Sequence, residues 1–311
     1  MWPLAGGLYL GWALGANDAA NVFGTAVASR IISFRKACIL CSLGVILGAA
    51  LQGTGGIRTL SGLAEQTQAS LMIVAVSAAL TATLMTIMSL PVSTSQAIVG
   101  AITGIGLACG SVYWAGLAKV VTCWIATPVG AMLIACVVYK LLAVLLRRVP
   151  MSILTRDKVL WGGLLVVGVY GAYALGANNV ANATGIFSGQ IEGVSDSQLA
   201  IGGGFAIAVG VLTYSRRVMM AVGTKVMPLD AFTAFVAVAS MAVTVHVFAV
   251  IGVPVSTSQA IIGSILGIGF LQGAHAIKFR TLRNIGLAWL LTPAISLILA
   301  AAGYAVFCGA H

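Results

Sequence analysis

Two stretches of the sequence nearly repeat one another: Leu14-Gly-Ala-Asn-Asp-Ala-Ala-Asn-Val-Phe-Gly24 and Leu175-Gly-Ala-Asn-Asn-Val-Ala-Asn-Ala-Thr-Gly185, with seven of eleven positions identical. A second pair agrees in nine of ten positions: Pro91-Val-Ser-Thr-Ser-Gln-Ala-Ile-Val-Gly100 and Pro254-Val-Ser-Thr-Ser-Gln-Ala-Ile-Ile-Gly263. The blocks keep their order and spacing, 74 residues from Asn17 to Pro91 and 76 from Asn178 to Pro254. The chain is therefore predicted to be an internal duplication.

The composition is that of a protein embedded in lipid. Of 311 residues, 60% are hydrophobic and 7% are charged, whereas soluble domains are about 25% charged. This balance excludes ordinary cytosolic enzymes, disordered proteins, coiled coils and nucleic-acid-binding domains. Because a membrane-spanning helix needs roughly 20 apolar residues, the chain has room for ten of them. The apolar runs, which hold few or no charged residues, are roughly 4–29, 37–56, 69–90, 92–118, 120–146, 159–187, 197–215, 229–253, 255–277 and 284–308.

These runs predict an all-α polytopic membrane protein of two repeats, each with about five helical segments. The first repeat covers 1–146 and the second 159–311, joined by a cytoplasmic connection at 147–158. Only a Pro-Val-Ser break divides the third and fourth segments of each half, so each pair is either two spans or one re-entrant hairpin. Both alternatives give an odd number of crossings, and the repeats must be inverted. Inverted repeats with interrupted helices at the midplane are typical of secondary transporters.

The basic residues predict the orientation of the chain. Fourteen of the sixteen Lys and Arg fall on the side reached after the first span, and only Arg58 and Lys119 fall on the other. The fourteen are Arg30, Arg35, Lys36, Lys140, Arg147, Arg148, Arg156, Lys158, Arg216, Arg217, Lys225, Lys278, Arg280 and Arg283. Loops rich in basic residues stay in the cytoplasm. We therefore expect a multi-pass protein of the cell (plasma or inner) membrane with both termini outside.

The Pro-Val-Ser-Thr-Ser-Gln blocks are candidate anion sites. Proline discourages a continuous helix, and serine followed three residues later by glutamine is a capping pattern, so each block predicts a helix start within the membrane. The free N–H groups of such a start can bind an anion without Lys or Arg. The hydroxyls that would take part are Ser93, Thr94, Ser95, Ser256, Thr257 and Ser258.

The Asn-rich blocks are candidate cation sites. Asp18 is the only acidic residue within the predicted membrane core, and ionisable groups there are by default functional. Its carboxylate could ligate Na⁺ or exchange a proton, and Asn179 is its counterpart. The glycines flanking the blocks, Gly15, Gly24, Gly176 and Gly185, would permit local unwinding that frees carbonyls. His246 is expected to be packed or hydrogen-bonded.

Together these blocks resemble the inorganic phosphate transporter family, across nearly the whole chain. The resemblance implies a phosphate symporter driven by Na⁺ or H⁺, with no other cofactor. It implies substrate contacts from the six hydroxyls and from Asn17, Asn21, Asn178 and Asn182. Asp18 and Asn179 match positions that would hold Na⁺, and Gln96 and Gln259 are further candidate ligands.

Two departures from the family pattern leave alternatives open. Asn179 stands where the family usually has Asp, and the hydroxyl blocks end in Ser-Gln where Thr-His is usual. A sulfate transporter of the same fold is the second alternative, and an anion channel or receptor the third. The expected partners are phosphate or sulfate and the lipid bilayer, with no nucleic acid, and a homodimer is one option. No nucleophile–base pair, metal triad or Walker motif indicates an enzyme.

Overall fold

The computed structural model describes residues 3–88, 92–222, 229–273 and 278–307. Within these ranges the chain is helical apart from loops and one isolated bridge between Ala64 and Val112. The helices are α1 Leu4–Ala28, α2 Phe34–Gln52, α3 Thr54–Ser61, α4 Gln68–Ile87, α5 Thr94–Cys109, α6 Trp114–Arg148, α7 Ile153–Thr184, α8 Asp196–Val222, α9 Ala231–Ile251, α10 Thr257–Gln272 and α11 Phe279–Phe307. A short 3-10 turn, Gly185–Phe187, follows α7. The predicted all-α polytopic fold is confirmed.

Seven of the described helices are long and apolar enough to cross a bilayer: α2, α4, α6, α7, α8, α9 and α11. By contrast α5 and α10 are apolar but have only 16 residues each, about 24 Å at the helical rise. Each of these short helices follows a longer one through a brief connection, at the places where the sequence left spans or hairpins open.

Both pairs are hairpins whose two ends lie on the same side. In the first, Ala64 before α4 bridges to Val112 after α5, and the Tyr113 amide donates to the Leu63 carbonyl at 2.9 Å. In the second, α6 contacts both ends. Tyr139 of α6 packs edge-on against Phe232 at the start of α9, and the Cys136 thiol donates to the carbonyl of Gly267 near the end of α10. Outside the hairpins, the first repeat has α1, α2, the short α3 and α6, and the second has α7, α8 and α11.

The two repeats pack by exchanging partners. Helix α1 packs mainly on α8 and α7 on α2, while α5 packs on α11 and α10 on α6. Glycines mark the crossings at equivalent positions. A Cβ on Gly15 would collide with the Ile207 carbonyl of α8, and one on Gly176 would collide with the Val45 carbonyl of α2. Close backbone approach through small residues is how membrane helices associate.

Two sequence expectations need correction. Unwinding at Gly15, Gly24 and Gly176 is wrong, because α1 and α7 run through them as continuous helices. Only Gly185 lies where the α-helix gives way to a 3-10 turn. The predicted segments 92–118 and 120–146 divide in the wrong place, because α5 ends at Cys109 and α6 already begins at Trp114.

The structure also differs from the predicted segments at α3 and at the connection 147–158, and two predicted residues cannot be compared with it. Helix α3 has no predicted counterpart. The connection 147–158 contains the end of α6 and the start of α7, and only four residues lie between these two helices. Pro91 and Lys225 lie outside the described residues.

Candidate functional site

The hairpin tips place two helix starts inside the protein. The Ser93 hydroxyl accepts a hydrogen bond from the backbone amide of Gln96 at 3.3 Å, and the Ser256 hydroxyl accepts one from the backbone amide of Gln259 at the same distance. These bonds are the N-terminal caps that the sequence predicted for α5 and α10. The N–H groups of the first turns, which have no partner within their own helix, therefore face the protein interior.

The two tips also bind each other across the repeat boundary. The Ser95 hydroxyl donates to the carbonyl of Val255 at 2.9 Å, and the Ser258 hydroxyl donates to the carbonyl of Val92 at 3.1 Å. The hydrogen bonds are equivalent, so the tips meet with the same symmetry as the sequence repeat. Sequence reasoning identified both hydroxyls but not the Val92 and Val255 carbonyls that accept from them.

Asp18 lies near the middle of α1 and beside both tips. Its Oδ2 accepts from the Thr257 hydroxyl at 3.0 Å, from the Asn179 amide at 3.3 Å and from the Thr94 hydroxyl at 3.4 Å. Its Oδ1 is buried and has no protein partner. The carboxylate thus receives hydrogen bonds from α5, α7 and α10 on one oxygen and offers the other.

The asparagines of α7 form a chain of hydrogen bonds behind this carboxylate. Asn178 donates to the Val255 carbonyl at 2.8 Å and accepts from the Val255 amide at 3.3 Å. The carbonyl oxygen of Asn179 accepts from Asn178 at 2.8 Å and from Asn182 at 3.2 Å. Asn182 also donates to the Ser95 hydroxyl at 2.8 Å. These three side chains therefore link Val255 in the second tip to Ser95 in the first.

The asparagines of α1 are bonded differently. Asn17 donates to the Thr86 hydroxyl in the last turn of α4 at 2.9 Å, and Asn21 donates to the Thr257 hydroxyl at 3.3 Å. Thr86 was not predicted as part of the cluster, although a hydroxyl late in an apolar segment is a usable signal. The repeats are therefore alike in backbone but unlike in their polar contacts.

The whole cluster is closed off from solvent. No predicted site residue is more than 5% exposed. Four side-chain oxygens within it are buried without a protein partner: Asp18 Oδ1, Gln96 Oε1, Asn182 Oδ1 and Gln259 Oε1. Buried acceptors of this kind are costly unless a ligand or water satisfies them. A carboxylate with neutral carbonyl oxygens suits a cation, and helix starts with hydroxyls suit an anion.

His246 stands apart from this cluster. Its two ring nitrogens lie 2.7 Å from the Tyr170 hydroxyl and 2.7 Å from the Gln52 amide oxygen. The ring also packs edge-on against Tyr170 and Tyr173. The expectation of a packed, hydrogen-bonded histidine is confirmed.

Known proteins are similar to this chain in sequence and in fold. The family model described as the phosphate transporter family matches residues 14–163 and again residues 154–300. The chain belongs to the phosphate transporter family. Among curated relatives, a protein of Methanocaldococcus jannaschii named "Putative phosphate permease" is 31% identical over 94% of this chain and 92% of its own length.

Two further comparisons bear on this family member. The sulfate permease CysP of Bacillus subtilis is also 31% identical, over 93% of this chain and 83% of its own. A solved structure titled "The sodium-dependent phosphate transporter" superposes with a TM-score of 0.90 over 100% of both chains at 24% identity. That superposition shows the shared fold. The relatives themselves include proteins named for phosphate and for sulfate.

Proposed function

We propose that this protein imports inorganic phosphate across the cell membrane by cation symport with alternating access. The observation that carries the proposal is Asp18. This buried carboxylate is bonded to threonines at the starts of both hairpin helices and keeps one oxygen unpartnered. Membership of the phosphate transporter family supports phosphate as the substrate.

The anion would bind between the starts of α5 and α10. The N–H groups of Thr94, Ser95, Thr257 and Ser258 lie in the first turns of these helices, where the helix dipole favours negative charge. The two helix starts belong to opposite repeats and are held together by the Ser95 and Ser258 bonds. A small tetrahedral oxyanion could accept hydrogen bonds from both at once without any basic side chain.

The cation would bind at Asp18. A carboxylate beside the anion would repel it unless a positive charge lies between them, and Oδ1 is the oxygen free to hold that charge. The two glutamine carbonyl oxygens in the first turns of α5 and α10 are further buried acceptors. Amide oxygens ligate metal ions but do not hold a proton at neutral pH. We therefore favour Na⁺ over H⁺ as the coupling ion.

Coupling is also required by the membrane potential. Moving one negative charge into a cell that is negative inside costs about 2.3 kcal/mol per 100 mV. A monoanion needs one cation to cancel this cost and a second to be driven inward by voltage. Asn179 offers only a neutral oxygen, and that oxygen already accepts from Asn178 and Asn182. A second cation at Asn179 is therefore expected to be weak or absent.

The buried site and the inverted repeats support alternating access. Because every candidate binding residue is buried, substrate must enter and leave through other conformations, which open the site to one side of the membrane at a time. The two hairpins reach the site from opposite sides and belong to opposite repeats. Rocking one repeat against the other around a fixed site is the usual way for such proteins to alternate.

Sulfate is the second candidate substrate, because a sulfate permease is as similar in sequence as the phosphate permease of the archaeon. The deciding experiment is uptake of labelled phosphate and labelled sulfate into proteoliposomes, with Na⁺ and pH gradients imposed separately. We expect phosphate to accumulate above its external concentration when the Na⁺ gradient is directed inward. Equilibration to equal concentrations that neither an Na⁺ gradient nor a pH gradient changes would indicate a channel, and accumulation of sulfate alone would reassign the substrate.

A further inference from the structure

The orientation of the Asn182 side chain is fixed by its neighbours. The Val255 backbone amide donates to Asn178 Oδ1, so the Asn178 amide group must face Asn179. Asn179 therefore presents its carbonyl oxygen to Asn178 and its amide group to Asp18. The same Asn179 oxygen accepts from Asn182, so the amide group of Asn182 faces Asn179 and Ser95.

Within this chain of hydrogen bonds, one acceptor, Asn182 Oδ1, has no donor. Asn182 Oδ1 is buried, its residue is 0% exposed, and the oxygen has no protein partner. Reversing the amide would set the Asn182 and Asn179 oxygens against each other. Ser95 could then donate to the reversed oxygen only by giving up its bond to the Val255 carbonyl, so the observed orientation is favoured. The nitrogen of the same amide lies 2.8 Å from the Ser95 hydroxyl at the start of α5, so the oxygen belongs to a side chain that borders the proposed anion site. A hydrogen-bond acceptor at this position favours a bound ligand that can donate.

The two candidate oxyanions differ in this property. Inorganic phosphate at neutral pH carries at least one P–OH group and can donate a hydrogen bond. Sulfate is fully ionised and can only accept. A site built to bond a substrate hydroxyl discriminates strongly against an analogue that lacks it, because the acceptor then remains buried and unpaired.

We propose that Asn182 Oδ1 accepts a hydrogen bond from the P–OH group of phosphate and makes the site select phosphate over sulfate. The inference rests on the proposed anion site between α5 and α10. It assigns Asn182 to substrate recognition, whereas Asp18 holds the coupling cation. The same reasoning extends to arsenate, which is protonated like phosphate and should compete as phosphate does.

The repeat supplies a matched control. Asn21 is the counterpart of Asn182 and donates to the Thr257 hydroxyl, as Asn182 donates to that of Ser95. Among the described residues, the carbonyl oxygen of Asn21 is not one of the buried polar atoms without a partner. Removing Asn21 thus removes a donor that positions a hydroxyl, whereas removing Asn182 removes such a donor together with the unpaired acceptor.

The test compares Asn182→Leu, Asn182→Asp and Asn21→Leu by competition of phosphate, arsenate and sulfate against labelled phosphate, in purified protein at saturating Na⁺. The wild type should prefer phosphate and arsenate to sulfate. Asn182→Leu should lower this preference by about tenfold, equivalent to 1.4 kcal/mol. Asn21→Leu should weaken the binding of phosphate and the binding of sulfate by similar factors. Asn182→Asp keeps an acceptor and should retain the preference while binding both anions more weakly.

Two results would overturn the inference. One is a wild type that binds phosphate and sulfate equally, and the other is an unchanged preference in Asn182→Leu. If the second result is accompanied by a higher Na⁺ concentration for half-maximal binding, the oxygen is a cation ligand. A wild type that binds phosphate but never transports it would refute the proposed function alone.

Discussion

The Thr257 hydroxyl donates to Asp18 Oδ2 at 3.0 Å, so a residue at the start of α10 in the second repeat is bonded to the middle of α1 in the first. Thr94, the equivalent residue of α5, reaches the same oxygen at 3.4 Å. Both hairpins are therefore tied to one carboxylate. Any movement of a hairpin relative to α1 must change the bonding of Asp18, which gives a physical link between cation binding and exposure of the anion site.

The serine caps should control anion affinity. Ser93→Ala and Ser256→Ala each remove a helix cap, worth about 1 kcal/mol, and a hydroxyl at the proposed anion site. Because one hydrogen bond to a charged group is worth about 1.5–3 kcal/mol, phosphate affinity should fall by roughly 10- to 150-fold. Calorimetric titration of the purified variants measures the change.

A conservative variant separates the cap from general damage. Ser93→Thr retains a hydroxyl that can cap the Gln96 amide and should bind phosphate within a few-fold of the wild type. Unchanged phosphate and sulfate binding in both alanine variants would exclude the capped helix starts from the site.

Close packing of the exchanged helices should make stability sensitive to one methyl group. In Gly176→Ala the new Cβ would collide with the Val45 carbonyl on α2, and overpacking of this kind costs about 1–3 kcal/mol. Gly162→Ala is the control on the same helix, since no atom lies within 4 Å of its added Cβ. Thermal unfolding in detergent should show a lower midpoint for Gly176→Ala only. Equal midpoints for the two variants would contradict the crossing of α7 and α2.

Site-directed labelling tests orientation and the first hairpin together. In a cysteine-free background, single cysteines replacing Arg35 or Arg148 should react with an impermeant thiol reagent only after the cells are opened. Cysteines replacing Glu65 or Ser111 should both react in intact cells, because these residues lie at the two ends of the α4–α5 hairpin. Labelling of position 148 from outside would reverse the topology, and opposite behaviour of positions 65 and 111 would make the hairpin two crossings.

The sequence predicted the parts of the fold that depend on composition and on the duplication. Hydrophobic runs set the helices, and the repeated Ser-Thr-Ser-Gln block located both capped helix starts, because a cap is a local interaction. The unwinding expected at Gly15 and Gly176 was wrong, because a glycine can mark either an unwound helix or a close crossing of two helices. Here the missing side chain admits a neighbouring backbone, and only tertiary packing decides between the two uses.

The asymmetry of the polar network could be predicted from the sequence only in part. Asn17 and Asn178 occupy equivalent positions in nearly identical blocks, yet Asn17 bonds Thr86 and Asn178 bonds Val255. Thr86 lies outside the repeated blocks, so the blocks alone could not indicate that the two asparagines have different partners.

The central claim is that Asp18 holds the coupling cation while the helix starts hold the anion, and Asp18→Asn tests it most directly. Concentrative uptake of labelled phosphate under an inward Na⁺ gradient should be measured in proteoliposomes beside equilibrium phosphate binding to the same purified variant. The account predicts that Asp18→Asn loses Na⁺-driven accumulation but still binds phosphate. A variant that concentrates phosphate with the Na⁺ dependence of the wild type would contradict it and place the coupling site elsewhere.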